Sequence, residues 1–365
     1  MGAAEFAERV NKMKKALKIT LIIVGVLVVL LILAAIFAPP LIANAVYKDN
    51  FGQRFETYEP TARSLDEFEG LQLAECTFES DKGQKLAGYK YYRDNEPKGV
   101  VVMAHGFGGG GHNDDMGIAD YFTTCGYVVF AYDATGNDKS EGDEVGGLPQ
   151  GVIDLDYALR FVESTEDFSG LSIMLWGHSW GAYSVGSVLA YHPEVKAAVM
   201  VSGFDKSADM IEFQGRELAG DAVDFILPYI NKIEEEKFGE YASASCMEGF
   251  EKSDTAVMIV HSRDDSIVPY ANSFQKFYDK YNGDPRFEFI SFEDKGHNYI
   301  CCADSAVKYR EEFNRKFDED MEAMGGFTPE RKAEYFKENL DKKRRYALDE
   351  ELMKKMSDLY DKNLQ

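Results

Sequence analysis

The stretch from Leu171 to Leu189 constrains the fold of this chain more than any other. It reads L-S-I-M-L-W-G-H-S-W-G-A-Y-S-V-G-S-V-L. Leu171 to Trp176 is a short apolar run of strand character, and Ala182, Val185, Gly186 and Leu189 then recur at helical spacing. Between the two lies Gly177-His178-Ser179-Trp180-Gly181, a G-x-S-x-G. A strand that turns straight into a helix needs glycine at the flanks of the turn, where a side chain has no room. Such an elbow lifts the serine oxygen above the sheet edge. It also aims the first N–H groups of the helix at whatever approaches that oxygen. Ser179 is therefore the candidate nucleophile, against the plainer reading of a surface turn.

A serine hydroxyl is a weak nucleophile at neutral pH and needs a general base, which in turn needs an orienting acid. The chain has six histidines. His178 is the variable position of the elbow, His105 precedes a glycine run, and His261 ends a strand. His112 and His192 sit beside helices without acid or glycine context and read as surface residues. His297 remains, in Glu293-Asp294-Lys295-Gly296-His297-Asn298 after the last strand pattern. A loop at a strand's C-terminal end is where ligands bind in open α/β sheets. The acid is expected after the preceding strand, in Ser262-Arg263-Asp264-Asp265-Ser266-Ile267-Val268-Pro269, and on geometry either aspartate can serve. An oxyanion would be met by the loop His105-Gly106-Phe107-Gly108-Gly109-Gly110-Gly111, with the amides of Phe107 and Trp180 as the natural pair.

That loop also fits G-x-G-x-x-G, and the next strand ends in Asp133, about where a ribose-binding acid would sit. A dinucleotide-binding fold is thus a rival, but it leaves the elbow and its downstream partners without a role.

The rest of the pattern alternates. Leu71 to Glu79 and Lys85 to Tyr92 predict an opening hairpin. Strands follow at Val100 to Ala104, Tyr127 to Tyr132, Ala197 to Val201, Ala256 to Val260 and Phe287 to Phe292. Helices are predicted at Asp114 to Cys125, Val152 to Val162 and Tyr270 to Tyr281. Apolar strands alternating with helices predict a mostly parallel central sheet covered by helices on both faces. Phe204 to Ser253 separates two strands by far more than an ordinary connection. Its apolar run Phe225 to Ile230 suggests a helical cap, with a plain packing subdomain as the alternative. The expected division is a catalytic domain over 70–308, with 204–253 as the cap and a charged helical extension over 309–365. The cluster Lys342-Lys343-Arg344-Arg345 in that extension reads as a solvated helix face.

Ile19 to Ala38 is an uncharged apolar run, long enough as a helix to span a hydrocarbon core of about 30 Å. Arg9, Lys12, Lys14, Lys15 and Lys18 precede it. The positive-inside bias therefore predicts a cytoplasmic N-terminus over 1–18, an anchor over 19–38 and an extracytoplasmic remainder, joined by a polar linker over 39–69. A cleaved signal peptide is the alternative, because Ala43-Asn44-Ala45 offers an A-x-A site. The net charge of −23 argues against nucleic acid as a partner. Cys76, Cys125, Cys246, Cys301 and Cys302 have no metal or disulfide-framework spacing, so neither a metal nor a cofactor is expected.

Taken together, these motifs resemble the α/β-hydrolase superfamily, in particular its branch of monoacylglycerol lipases, lysophospholipases and serine aminopeptidases. The likeness covers roughly residues 70–300 and rests on H-G-F-G at His105, the elbow at Ser179, D-x-x-V-P from Asp265 to Pro269, and G-H at His297. The resemblance implies a Ser179–His297–Asp265 triad, and it is what selects Asp265 over Asp264. His105, Gly106, Gly177 and Gly181 are the implied supporting positions. The loop from Asp133 to Gly142 is similar to the family's D-x-x-G-x-G-x-S-x-G, with Asp138 in place of the second glycine. Aspartate tolerates a left-handed backbone better than most residues, so the loop is expected to keep its shape. The implied activity is a membrane-anchored serine hydrolase acting on a small-molecule or lipid acyl ester. Trp180 after the nucleophile keeps an aminopeptidase alternative open, and a non-enzymatic binding module is a further one.

Overall fold

The computed structural model describes the backbone of residues 3–364. It describes the side chains of residues 11–364 except 16, 29, 31, 32 and 34. In chain order it begins with helix α1 (Ala3–Phe51) and the strands β1 (Gln72–Glu79), β2 (Lys85–Tyr92) and β3 (Val100–Ala104). Then come α2 (Met116–Thr124), β4 (Val128–Tyr132), α3 (Pro149–Ser164), β5 (Ile173–His178), α4 (Trp180–Val188) and β6 (Ala197–Val201). The insertion carries α5 (Ser207–Ala219), α6 (Leu227–Phe238) and α7 (Cys246–Lys252). It is followed by β7 (Ala256–Ser262), α8 (Phe274–Tyr281) and β8 (Phe287–Phe292). The chain closes with α9 (Asp304–Ala323), α10 (Pro329–Asn339), α11 (Lys342–Arg345) and α12 (Glu350–Lys362).

The eight strands form one sheet in the order β1-β2-β4-β3-β5-β6-β7-β8. β2 runs antiparallel to both β1 and β4, and every other pairing is parallel. The strands are apolar throughout because both faces are covered. In β3, Val100, Val102 and Ala104 enter the core beneath α3 and α4, whereas Val101 and Met103 enter the core beneath α2 and α12. The hairpin and the β–α alternation follow the sequence expectation, with one break. The predicted helix over 270–281 is interrupted at Ser273, whose hydroxyl caps α8.

Three regions depart from expectation. The stretch read as a linker begins as helix, since α1 runs through Pro39 and Pro40 to Phe51. Ala43, Tyr47 and Phe51 recur every four residues, form one stripe and are buried in the main core. Ala43 of the A-x-A tripeptide is thus inside a packed helix. After Phe51 the chain is clamped to the loop beyond β4. The Arg54 guanidinium donates to the carbonyls of Asp138, Ser140 and Gly142, and the Thr57 N–H and hydroxyl both donate to the Asp138 carboxylate.

The region after Tyr309 is not one extension. α9 and α10 close on a cluster of their own around Phe313, Tyr335 and Phe336. α12 instead returns to cover the sheet through Leu352, Met353, Met356, Leu359 and Tyr360. At roughly 1.5–3 kcal/mol for each fully buried large apolar side chain, that helix belongs to the fold rather than hanging from it. Arg345, read as part of a solvated face, buries its Nε and Nη1.

The predicted membrane span falls partly on residues 29, 31, 32 and 34, whose side chains lie outside the described set. Among the described residues no helix is long and apolar enough to cross a membrane. The described large apolar side chains from Ile19 to Phe37 are exposed along α1.

Candidate active site

Ser179 sits between β5 and α4 with φ +55° and ψ −113°, a backbone conformation that costs of order 1–3 kcal/mol and persists only where the surroundings enforce it. They do so by close approach. A Cβ on Gly177 would lie 2.4 Å from the Gly181 carbonyl, and one on Gly181 would lie 1.9 Å from the Ala104 carbonyl oxygen. The Ser179 N–H donates to the Val201 carbonyl at 2.8 Å, which pins the elbow to β6.

The His297 loop and the Asp265 loop meet Ser179 at the C-terminal edge of the sheet. The Ser179 hydroxyl and His297 Nε2 are 2.8 Å apart, and His297 Nδ1 is 2.8 Å from Asp265 Oδ2. Asp265 Oδ1 accepts the N–H groups of Ile267 and Val268. Burial alone would raise the Asp265 carboxyl, but its hydrogen bond to His297 and attraction to that ring outweigh it. The Val268 amide adds to the effect, and the group is held below its ordinary value. Asp264 has a different task. Its Oδ1 accepts from the Ser262 hydroxyl and from the Gly296 N–H, so it fixes the histidine loop without touching the imidazole.

Three further histidines act as struts, and their tautomers follow from their partners because a carbonyl can only accept. His178 Nε2–H donates to the His297 carbonyl at 2.9 Å, and burial followed by the nearby His297 pushes its pKa down to about 4. His105 Nδ1–H donates to the Gly106 carbonyl while Nε2 accepts the Ala134 N–H, tying the glycine loop to the end of β4. Burial lowers its pKa too. His261 donates to the Val268 carbonyl at 2.8 Å and lies 3.3 Å from Asp265 Oδ2. Neither the His261 strut nor Ser202, whose hydroxyl donates to the His297 carbonyl, stands out in the sequence. For His261 the only signal is its position four residues before an aspartate.

His112 and His192 are not surface residues. His112 stacks on Tyr89 and donates to Asp133, while His192 bridges Asp156 and Glu194. Both are taken inward by carboxylates distant in sequence. Asp133 is fully buried and also accepts from the Tyr89 hydroxyl. A Cβ on Gly111 would fall 1.8 Å from its Oδ1, so no ribose can reach it and the dinucleotide rival fails. Asp138 adopts φ +35° and accepts from the Gly111 N–H, so the replacement of a glycine there also secures the loop that carries Phe107.

Ser179 and His297 open into a cavity of about 560 Å³. Its walls are Phe107 and Trp180, the cap residues Met210, Ile211, Ile226 and Ile230, and, unforeseen from the sequence, Val46, Tyr47 and Phe51 of α1. The Trp180 ring is buried, with its Nε1–H donating to the Leu148 carbonyl at 2.7 Å. Phe225, which opens the apolar run of the cap, is 74% exposed. The run it opens straddles the junction into α6, and only Ile226 and Ile230 turn inward.

A family model described as "Serine aminopeptidase, S33" matches residues 95–231, which include the glycine loop and the elbow. The chain is 28% identical over 133 residues to the monoacylglycerol lipase of Mycolicibacterium smegmatis, a match that covers 36% of this chain and 46% of that protein. It is 27% identical over 139 residues to the caffeoylshikimate esterase of Arabidopsis thaliana, covering 37% and 41%. These likenesses support the α/β-hydrolase superfamily for this chain. It spans less than half the length of these two relatives. Among solved structures, an esterase of Pyrococcus furiosus aligns over 69% of this chain and 91% of its own, at 18% identity and a TM-score of 0.49. Est1E of Butyrivibrio proteoclasticus with ferulic acid bound aligns over 68% and 99%, at 22% identity and a TM-score of 0.49. The family model ends before Asp265 and His297, so those two rest on the fold and on the motifs around them.

Proposed function

We propose that this chain is a serine hydrolase that cleaves a carboxylic ester through an acyl-enzyme. The observation that carries the reading is the Ser179–His297–Asp265 relay, with both contacts at 2.8 Å, at the floor of a largely apolar cavity. Ser179 Oγ attacks the acyl carbon as His297 Nε2 takes its proton, and Asp265 holds Nδ1–H and stabilises the imidazolium. The amides of Phe107 and Trp180 hold the tetrahedral oxyanion, where one donor is worth about 10²–10³ in rate. The alcohol departs with the proton from His297. Water, deprotonated by the same ring, then frees the acid and restores Ser179.

The acyl chain lies among Ile226, Ile230, Met210 and Ile211, and α1 supplies the wall nearest its own apolar segment. In this reading residues 19–38 anchor the domain in a membrane, with the N-terminus cytoplasmic and the catalytic domain outside. The support is the uncharged run behind Lys12, Lys14, Lys15 and Lys18, carried by the same helix that ends in the cavity wall. An aminopeptidase reading has its own support in the name of the matching family model and in Asp114 and Asp115, which line the cavity and could meet an ammonium group.

One labelling experiment tests these readings. A membrane-impermeant fluorophosphonate is expected to label the membrane-bound protein on intact cells, and Ser179→Ala is expected to abolish the label. Labelling only after lysis would overturn the topology. Absence of labelling in both would overturn the hydrolase reading, and preferential turnover of aminoacyl amides over acyl esters would transfer the assignment to a peptidase.

A further inference from the structure

A second cavity of about 350 Å³ lies against the first. The two share Asp114, Asp115, His178 and Asn298 as a common wall, so the second chamber begins directly behind the histidine loop. Its lining differs in kind from that of the first. Arg63 comes from the segment after α1, Arg310 from α9 and Arg345 from α11, and all three converge on it with the indole of Trp176. The positions of two of the guanidinium groups are already set. Arg63 Nε pairs with Glu67 at 2.6 Å, and Arg310 Nε donates to the Arg345 carbonyl at 2.8 Å. Arg310 also lies over the rings of Tyr299 and Tyr346.

Arg345 is unlike these two. Its Nε and Nη1 are buried with no acceptor among the described residues, and Trp176 Nε1, also on this chamber, is buried without one as well. Buried donors are almost always satisfied, and an orphaned cluster lining a cavity calls for an acceptor that arrives from outside. The two aspartates on the shared wall make no hydrogen bond to the Arg345 Nε or Nη1, although the Asp114 carboxylate is attracted to Arg345 and Arg310. Desolvation pushes both carboxyls up, and Asp114 adds to the rise at Asp115. The surroundings that remain are cationic, aromatic and rich in donors, and they fit a carboxylate or phosphate held by a planar fork.

We propose that this chamber is the subsite for an anionic group on the alcohol side of the ester, held by Arg345 and the Trp176 N–H. The acyl chain then occupies the apolar cavity, and the ester carbon lies at Ser179 between the two. When His297 protonates the leaving oxygen, the alcohol remains tethered by its anionic end until water has replaced it. The inference rests on the ester-hydrolase reading. Of its two anchors, Arg345 lies in α11, outside the stretch matched by the family model, and Trp176 lies in β5, inside it.

The test uses the full chain and esters that share one saturated acyl chain but differ in the alcohol: glycerol, glycerol 3-phosphate or glycerate. One of the anionic esters is expected to be hydrolysed with a kcat/KM at least about tenfold above the glycerol ester. Arg345→Gln and Trp176→Phe are each expected to bring that ratio towards one. The arm that shows the preference distinguishes phosphate from carboxylate. A ratio near one in the wild type, or a ratio unchanged in Arg345→Gln, overturns the assignment. If no ester is turned over and Ser179 takes no fluorophosphonate, the hydrolase reading has failed on its own. The chamber is then judged by calorimetric titration with glycerol 3-phosphate and with glycerate. Saturable binding weakened about tenfold in Arg345→Gln supports the anion site, and no saturable binding of either overturns it.

Discussion

The two cavities that meet at His178 are built from different segments and opposite kinds of surface. The larger is walled by α1 and the cap and is mostly aliphatic and aromatic. The smaller carries three arginines, Arg63 from the segment after α1 and Arg310 and Arg345 from the C-terminal helices. Ser179 and His297 open into the larger one, in an arrangement held by strands, tight glycine contacts and neutral histidines. In the proposed reading the molecule divides its labour: the sheet supplies reaction geometry that tolerates little change, while segments inserted before, within and after it decide what reaches Ser179.

The sharpest way to break this picture is at the proposed relay. Asp265→Asn is expected to lower kcat by about 10⁴, because the imidazole loses the partner that fixes its tautomer. Asp264→Asn should cost far less, since that carboxylate holds only Ser262 and the Gly296 amide. Steady-state kinetics on one ester compares them. An Asp264→Asn enzyme as crippled as Asp265→Asn would mean that the loop, not the acid, is limiting.

A smaller effect is expected on the apolar side alone. Each methylene buried against the cap is worth roughly 0.8 kcal/mol, so kcat/KM should climb up to about fourfold per added carbon until the cavity fills. Ile226→Asn should flatten that series, whereas Phe225→Ser should leave its slope intact, because Phe225 faces solvent. Equal flattening by both would show that the cap moves between this arrangement and another.

A last effect, on stability rather than turnover, concerns how α1 is fastened to the cap. Glu234 of α6 is buried and accepts from the hydroxyls of Ser207 and Tyr47. Burial pushes its pKa from 4.5 up to about 7, a rise that the two hydrogen bonds only partly offset. The folded state therefore keeps a proton that the unfolded chain has lost between pH 4.5 and about 7, and stability falls as pH rises through that window. The expected loss is of order 1–3 kcal/mol, and Glu234→Gln should remove that slope in urea denaturation midpoints taken from pH 5 to 8. A slope that survives the substitution would assign the titration to another group.

Much of this was legible without coordinates, and for a local reason. The elbow, the H-G-F-G loop, the D-x-x-V-P turn and the Gly-His pair each sit at the end of a strand, where period, glycine and spacing announce both element and position. Asp138 could be judged tolerable in its loop from backbone preference alone. By contrast, the buried positions of His112 and His192 depend on Asp133 and Asp156, carboxylates twenty or more residues away, and no local pattern announces such a pairing. The same holds for Phe225, whose neighbours Ile226 and Ile230 turn inward while it does not.

The candidate elbow, the sheet and its doubly covered faces could be read from the chain alone, because these follow from short-range sterics and from the periodicity of apolar side chains. Only the tertiary structure decided that α1 runs past its prolines to wall the cavity with Tyr47 and Phe51. It alone decided that α12 returns to the core and that Arg345, one of four consecutive basic residues, buries its Nε and Nη1 and lines the same chamber as Trp176. Those outcomes depend on which distant surfaces meet. A helix stripe or a basic run reads the same in sequence whether it faces water, lipid or the wall of a site, and its burial is set by the partner that packs against it.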